Sequence, residues 1–227
     1  MKHIEMMCVQ FVTLMVTAFQ GILIACITPS ISQAASVSDL LITEIMANPA
    51  AVTDTNGEWF ELFNPTAESV ELEGALLSDD GSNSHAISTG SSLLINSGEY
   101  FVLARNADNT SNGGLIADYA YGSGFTLGNS SDQIILTDSF GLLRLEYSAG
   151  FVANGASMEL IDSVMLTSNF AASTNPYGAG DFGSPGTAGS FIHEVAPSPV
   201  PLPAAVWLMG SGLLGLIGLG RRNRQLV

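Results

Sequence analysis

Hydrophobic and polar positions alternate in short runs through the middle of this 227-residue chain. Leu41, Thr43 and Ile45 alternate with Ile42, Glu44 and Met46, and Trp59, Glu61 and Phe63 alternate with Phe60 and Leu62. Successive strand side chains point to opposite faces, so this period of two predicts strands over 41–46 and 59–63. Further short apolar runs lie at 70–77, 92–95, 100–104, 133–137, 142–147 and 157–161. Turn-forming residues separate nearly all of them: Asn56-Gly57, Asp80-Gly81, Ser97-Gly98, Asn112-Gly113-Gly114, Gly128-Asn129 and Asn154-Gly155. Short strands at such spacing predict an all-β, antiparallel sandwich, not alternating strand and helix units. Within it, Phe60 and Leu62 suit a core face, and Asn64-Pro65 stops the strand because proline lacks the ladder N–H and asparagine caps turns. Trp59 and Phe63 fall on the opposite face. They are read as core on a strand covered both ways, in preference to an exposed aromatic patch.

The two ends follow a different pattern. Lys2 precedes an apolar run over 11–27, then Pro29 and the small-residue stretch Ser32-Gln33-Ala34-Ala35. Gln20 and Gly21 interrupt that run, so residues 1–34 read as a signal peptide cut between Ala34 and Ala35. Two alternatives stay open: lipidation of Cys26 in Leu23-Ile24-Ala25-Cys26, and an uncleaved anchor. At the other end, a Pro-rich tether over 193–199 leads into an apolar segment and then Arg221, Arg222 and Arg224. The apolar stretch 204–220 predicts a transmembrane helix about 26 Å long, slightly short of the hydrocarbon core. The arginines act as a stop-transfer signal and leave the preceding residues outside the cytoplasm.

Charge narrows the function classes. Six basic residues face twenty-one acidic ones, a formal −15. Over 35–199 the only cations are Arg105 and Arg144. No basic surface is available to neutralise phosphates, which excludes nucleic acid as a partner. Both cysteines, Cys8 and Cys26, precede Ala35, so the processed chain has no disulfide framework. His193 sits in the tether and His85 in a serine-rich loop without a nucleophile elbow, which leaves neither a hydrolase triad nor a zinc ligand set. Oxygen-rich stretches remain: Asp54, Asn56 and Glu58 before one strand, Asp79, Asp80 and Asn83 after another. Calcium takes such ligands and is the one candidate cofactor, against the plainer reading of solvated turns. Glu58 and Glu61 are no glycosidase pair, because strand residues three apart face opposite ways.

Val200-Pro201-Leu202-Pro203-Ala204, the glycine-rich apolar helix with Trp207, and the terminal arginines together resemble a PEP-CTERM sorting signal of the VPLPA type. The resemblance implies processing by exosortase, an integral-membrane transpeptidase-like enzyme, in bacteria that make exopolysaccharide. Here Pro201-Leu202-Pro203 replaces the usual Pro-Glu-Pro, which leaves the cut position open, and a plain C-terminal anchor is the alternative. A second resemblance, to the lamin-tail domain, rests on 41–46 (Leu-Ile-Thr-Glu-Ile-Met), 57–65 (Gly-Glu-Trp-Phe-Glu-Leu-Phe-Asn-Pro), 70–79, 98–104, 132–136 and the Gly183-Ser184-Pro185-Gly186 turn. It implies an immunoglobulin-like sandwich. The combined expectation is a non-enzymatic exported protein with four parts: signal peptide 1–34, sandwich 35–192, tether 193–199 and sorting signal 200–227. Signal peptidase and exosortase would process it at the inner membrane, releasing it to the cell surface or an extracellular matrix of polysaccharide and surface proteins. The alternative is a permanently membrane-anchored periplasmic ligand-binding protein or hydrolase.

Overall fold

A computed structural model describes residues 35–162 and 164–189. Ala34 and the sorting residues Val200–Ala204, Arg221, Arg222 and Arg224 lie outside the described residues, as do the whole of the expected signal peptide 1–34, the tether 193–199 and the apolar stretch 204–220. Among the described residues no helix is long and apolar enough to cross a membrane.

The described chain is all-β with a few short helical turns. In order come β1 (Leu41–Met46), β2 (Trp59–Phe63), β3 (Val70–Glu71), β4 (Leu76–Ser78), β5 (Ser84–Ala86), β6 (Leu94–Ile95) and β7 (Tyr100–Ala104). They are followed by β8 (Tyr119–Ala120), β9 (Asp132–Thr137), β10 (Leu142–Tyr147), β11 (Met158–Leu160), β12 (Phe170–Ala172), β13 (Pro176–Tyr177) and β14 (Asp181–Phe182). A six-stranded sheet has the order β12-β11-β1-β2-β7-β8, and a four-stranded sheet the order β10-β9-β4-β5. Neighbours run antiparallel except β7 and β8. Two small ribbons, β3-β6 and β13-β14, complete the set.

One apolar cluster joins the two large sheets. Ile42, Ile45, Phe60, Leu62 and Leu103 from the first bury against Leu77, Ile134, Leu136, Leu143, Leu145 and Tyr147 from the second. Each such side chain contributes about 1.5–3 kcal/mol by leaving water. Phe60 sits at the centre, its ring 6.1 Å from Tyr121 and 6.4 Å from Phe125. Trp59 belongs to a second cluster on the other face of the same sheet, with Met46, Val102, Ala104 and Leu115. With Trp59 wholly buried and Phe63 at 6% exposure, the aromatic pair is core, on a strand covered both ways.

The strands expected over 41–46, 59–63, 100–104, 133–137, 142–147 and 157–161 are present within a residue or two at their ends. The run 70–77 is instead split into β3 and β4. Gly74 has φ +83° and its N–H bonds the Ile87 carbonyl at 2.8 Å, turning the chain from a ribbon into the four-stranded sheet. The sequence reading did not foresee β5, β8 or β12–β14, which are two or three residues long and carry no alternation. Asn64 caps as expected: its amide donates to the Glu68 and Ile95 carbonyls at 2.8 Å and its oxygen accepts from Thr66 N at 2.9 Å.

Candidate functional site

Three glutamates form a row across the outer face of the six-stranded sheet. Glu44 in β1 stands opposite Glu61 in β2 on one side and Glu159 in β11 on the other. Directly paired residues project to the same face, so the three carboxyls are neighbours. A register irregularity at Thr43, between Ile42 and Glu44, puts Glu44 on this face while Ile42 and Ile45 both stay in the core. All three glutamates are buried, at 1%, 1% and 0% exposure. Buried carboxyls need partners or a proton, and they have specific ones. Thr43 Oγ1 bonds Glu61 Oε1 at 2.6 Å and the Gly186 N–H donates to Glu61 Oε2 at 2.7 Å. Ser184 N donates to Glu44 Oε1 at 2.8 Å. The Ser184 hydroxyl lies 3.0 Å from Glu44 Oε2 and 3.1 Å from Glu159 Oε1. The Ser157 hydroxyl also contacts Glu44 Oε1. Loss of water pushes Glu44 up to about 7 and Glu61 up to about 8; the serine and threonine bonds hold both back in part.

Two of those partners, Ser184 and Gly186, arrive on one strap, residues 173–189, that closes over the row. Its last turn, Ser184-Pro185-Gly186-Thr187, has Thr187 N bonded to Ser184 O at 3.1 Å and Gly186 at φ +81°. Proline second and a positive-φ glycine third are what a type II turn requires, and the turn aims the Ser184 and Gly186 N–H groups at the carboxyls. The strap is pinned at two further points. Trp59 Nε1 donates to Tyr177 OH at 2.9 Å, and Asp181 Oδ1 accepts from Ala50 N at 2.9 Å and Ala51 N at 3.0 Å. At Gly178 the backbone lies against the Gly113 carbonyl with φ +52°, leaving no room for a β-carbon.

A fourth buried glutamate sits on the core side. Glu58 Oε2 accepts from Arg105 Nη1 at 3.0 Å and from Leu127 N at 3.3 Å. Burial pushes Glu58 up to about 7, and the Leu127 amide and Arg105 oppose that rise. Glu58 and Glu61 therefore serve different sides of the sheet.

The calcium candidates do not come together into one site. Asp54 Oδ2 accepts from Asn129 Nδ2 at 2.9 Å, Asn56 Oδ1 from Asn106 Nδ2 at 3.2 Å, and Glu58 holds Arg105. Asp79 accepts from Gly81 N at 2.8 Å and from Asn83 N and Nδ2 at 3.0 and 2.9 Å, as an Asx turn does. Asp80 forms a two-point ion pair with Arg144, at 2.8 and 2.6 Å. Among the described residues no group of three or more His, Cys, Asp or Glu is arranged to hold a metal ion. His85 Nε2 lies 2.8 Å from Tyr119 OH, and partial burial pushes its pKa down. The same phenol oxygen accepts from Ser88 N at 3.1 Å.

Sequence reasoning passed over the glutamate row. The signal was present as Glu44 and Glu61 at the centres of apolar strands, but the pairing that aligns them is a matter of register.

The lamin tail domain family matches residues 33–166, more than half of the chain, which therefore belongs to that family. The PEP-CTERM protein-sorting motif matches residues 199–225. No curated protein matches the chain.

Proposed function

We propose that this is a non-enzymatic exported protein whose lamin-tail domain is delivered to the cell surface or extracellular matrix through an exosortase-type system. The observation that carries the reading is the PEP-CTERM match over 199–225, downstream of a lamin tail domain. Both are non-catalytic family types, which supports a binding or structural role. In this reading 1–34 is removed by signal peptidase between Ala34 and Ala35, and 35–192 forms an immunoglobulin-like domain. The tether 193–199 presents Val200–Ala204 to the membrane protease while 204–220 spans the inner bilayer and Arg221, Arg222 and Arg224 stay in the cytoplasm. The strongly acidic domain surface keeps the product soluble and apart from anionic polymers. A cationic or neutral matrix component is then the fitting partner.

Intact-mass measurement of the protein isolated from its native host tests this. The expected product lacks 1–34 and the three terminal arginines. A membrane-bound product that retains Arg221–Arg224 would overturn the sorting step.

A further inference from the structure

Two serine hydroxyls in the glutamate row have more acceptors than protons. Ser157 Oγ lies against Glu44 Oε1 and 3.2 Å from the Phe182 carbonyl; Ser184 Oγ lies 3.0 Å from Glu44 Oε2 and 3.1 Å from Glu159 Oε1. Each hydroxyl has one hydrogen to give. With every carboxyl ionised, each serine can satisfy one neighbour and turns lone pairs toward the other. One proton on Glu44 resolves a bridge. Held on Oε1, it is donated to Ser157, whose own proton then reaches Phe182; held on Oε2, it is donated to Ser184, whose proton reaches Glu159. Either way the bond made belongs to the strap or to the strand beside it.

We propose that the row is a proton-operated clasp: protonated Glu44 holds strap 173–189 closed on the sheet, and loss of that proton loosens it. Among the described residues no cation faces Glu44 to stand in for the proton. Glu61 faces Glu44 from β2, Glu159 from β11 and Tyr177 from β13, with Asp181 of β14 beside Tyr177. All are acidic or neutral groups. The two arginines of the described chain are engaged elsewhere, Arg105 with Glu58 and Arg144 with Asp80 and Glu146. Ionising paired glutamates in one buried row adds like-charge repulsion to the unmatched bonds. The glutamates' raised proton affinities agree. Closed, Glu44 keeps its proton to about pH 7; open and hydrated, a glutamate loses it near 4.5. Opening therefore becomes easier as pH rises between those values and levels off above them. The clasp stands on this geometry alone and is independent of the sorting reading.

The strap carries its own reporter, because Trp59 donates to Tyr177 OH. In the detergent-solubilised full chain with Trp207→Phe, Trp59 is the one remaining tryptophan. Its emission and quenching, together with amide exchange of 176–187 corrected for intrinsic pH dependence, measure opening. The expected result is a rise in opening of about tenfold or more from pH 5 to pH 8. Glu44→Gln, which cannot ionise, should lower that rise and leave only the share that Glu61 carries, while exposed Glu146→Gln leaves it intact. Should Glu44→Gln not fold, Ser157→Ala takes its place: it removes a bond that holds the Glu44 proton affinity down, so the rise in opening should move to higher pH, and an unmoved profile overturns the clasp. A flat wild-type profile, or a Glu44 variant with the full wild-type slope, overturns the clasp.

Discussion

The apolar core on one face of the six-stranded sheet and the glutamate row on the other are held by different physics. On the inner face, Ile42, Ile45, Phe60, Leu62 and Leu103 pack against the second sheet by apolar burial. That attraction is non-directional and indifferent to pH. On the outer face, one residue away along the same strands, Glu44, Glu61 and Glu159 hold the strap by directed hydrogen bonds. There the gain depends on every donor meeting an acceptor, and a missing partner costs more than the bond itself contributes. One sheet thus carries a robust side that sets the fold and a conditional side that closes it.

The largest effect should come from the inner face. Phe60→Ala removes the ring at the centre of the aromatic cluster and is expected to cost about 3–5 kcal/mol, equally at pH 5 and pH 8, by chemical denaturation. Glu61→Ala breaks the outer face instead, leaving Thr43 Oγ1 and Gly186 N without their acceptor. The expected loss is about 2–3 kcal/mol, with Glu61→Gln milder because an amide can still serve one of the two. If Glu61→Ala proved neutral, the outer row would be no clasp but mere filler. Ser184→Ala deletes one hydroxyl from the row and should cost about 1 kcal/mol, with strap exchange rising before global unfolding.

Charge sharpens the contrast further. Glu44 and Glu58 are raised to about 7 and Glu61 to about 8, so the folded state keeps protons that the unfolded state has lost. Their contribution is full below about 4.5 and is lost as pH climbs through 7 to 8. Exposed carboxyls do the opposite. Arg144 holds Asp80 below its usual range, the Thr89 amide lowers Glu73 and Thr110 lowers Asp108. Their contribution fades as pH falls through those lowered values. Thermal melts across pH 3–9 should therefore show maximum stability in the mildly acidic range, about pH 5–6. A maximum at pH 8 or above would refute the buried-proton account. The smallest effect is expected at Arg144→Ala, an exposed ion pair, where the melting temperature should fall only slightly.

Much of the fold was readable because it is local. The alternation at 41–46 and 59–63 gave the two central strands, Asn64-Pro65 the end of the second, and Trp59 and Phe63 a place in the core. The splitting of 70–77 at Gly74 escaped, since one glycine among apolar residues does not announce a change of sheet. Asp54, Asn56, Glu58, Asp79 and Asp80 attracted notice as a crowd in sequence, yet each is spent on a different partner. Glu61 was weighed only against Glu58, and its grouping with Glu44 and Glu159 went unseen, because the three are separated along the chain and joined only by pairing.

By itself, then, the sequence determined strand periodicity, turns, the acidic charge and the family signatures at 33–166 and 199–225, because each is written in neighbouring residues. Only the tertiary structure decided which carboxyls share a face and which segment covers them. Cross-strand register depends on an irregularity at Thr43 and on a strap more than a hundred residues away, and burial turns those contacts into a demand for protons.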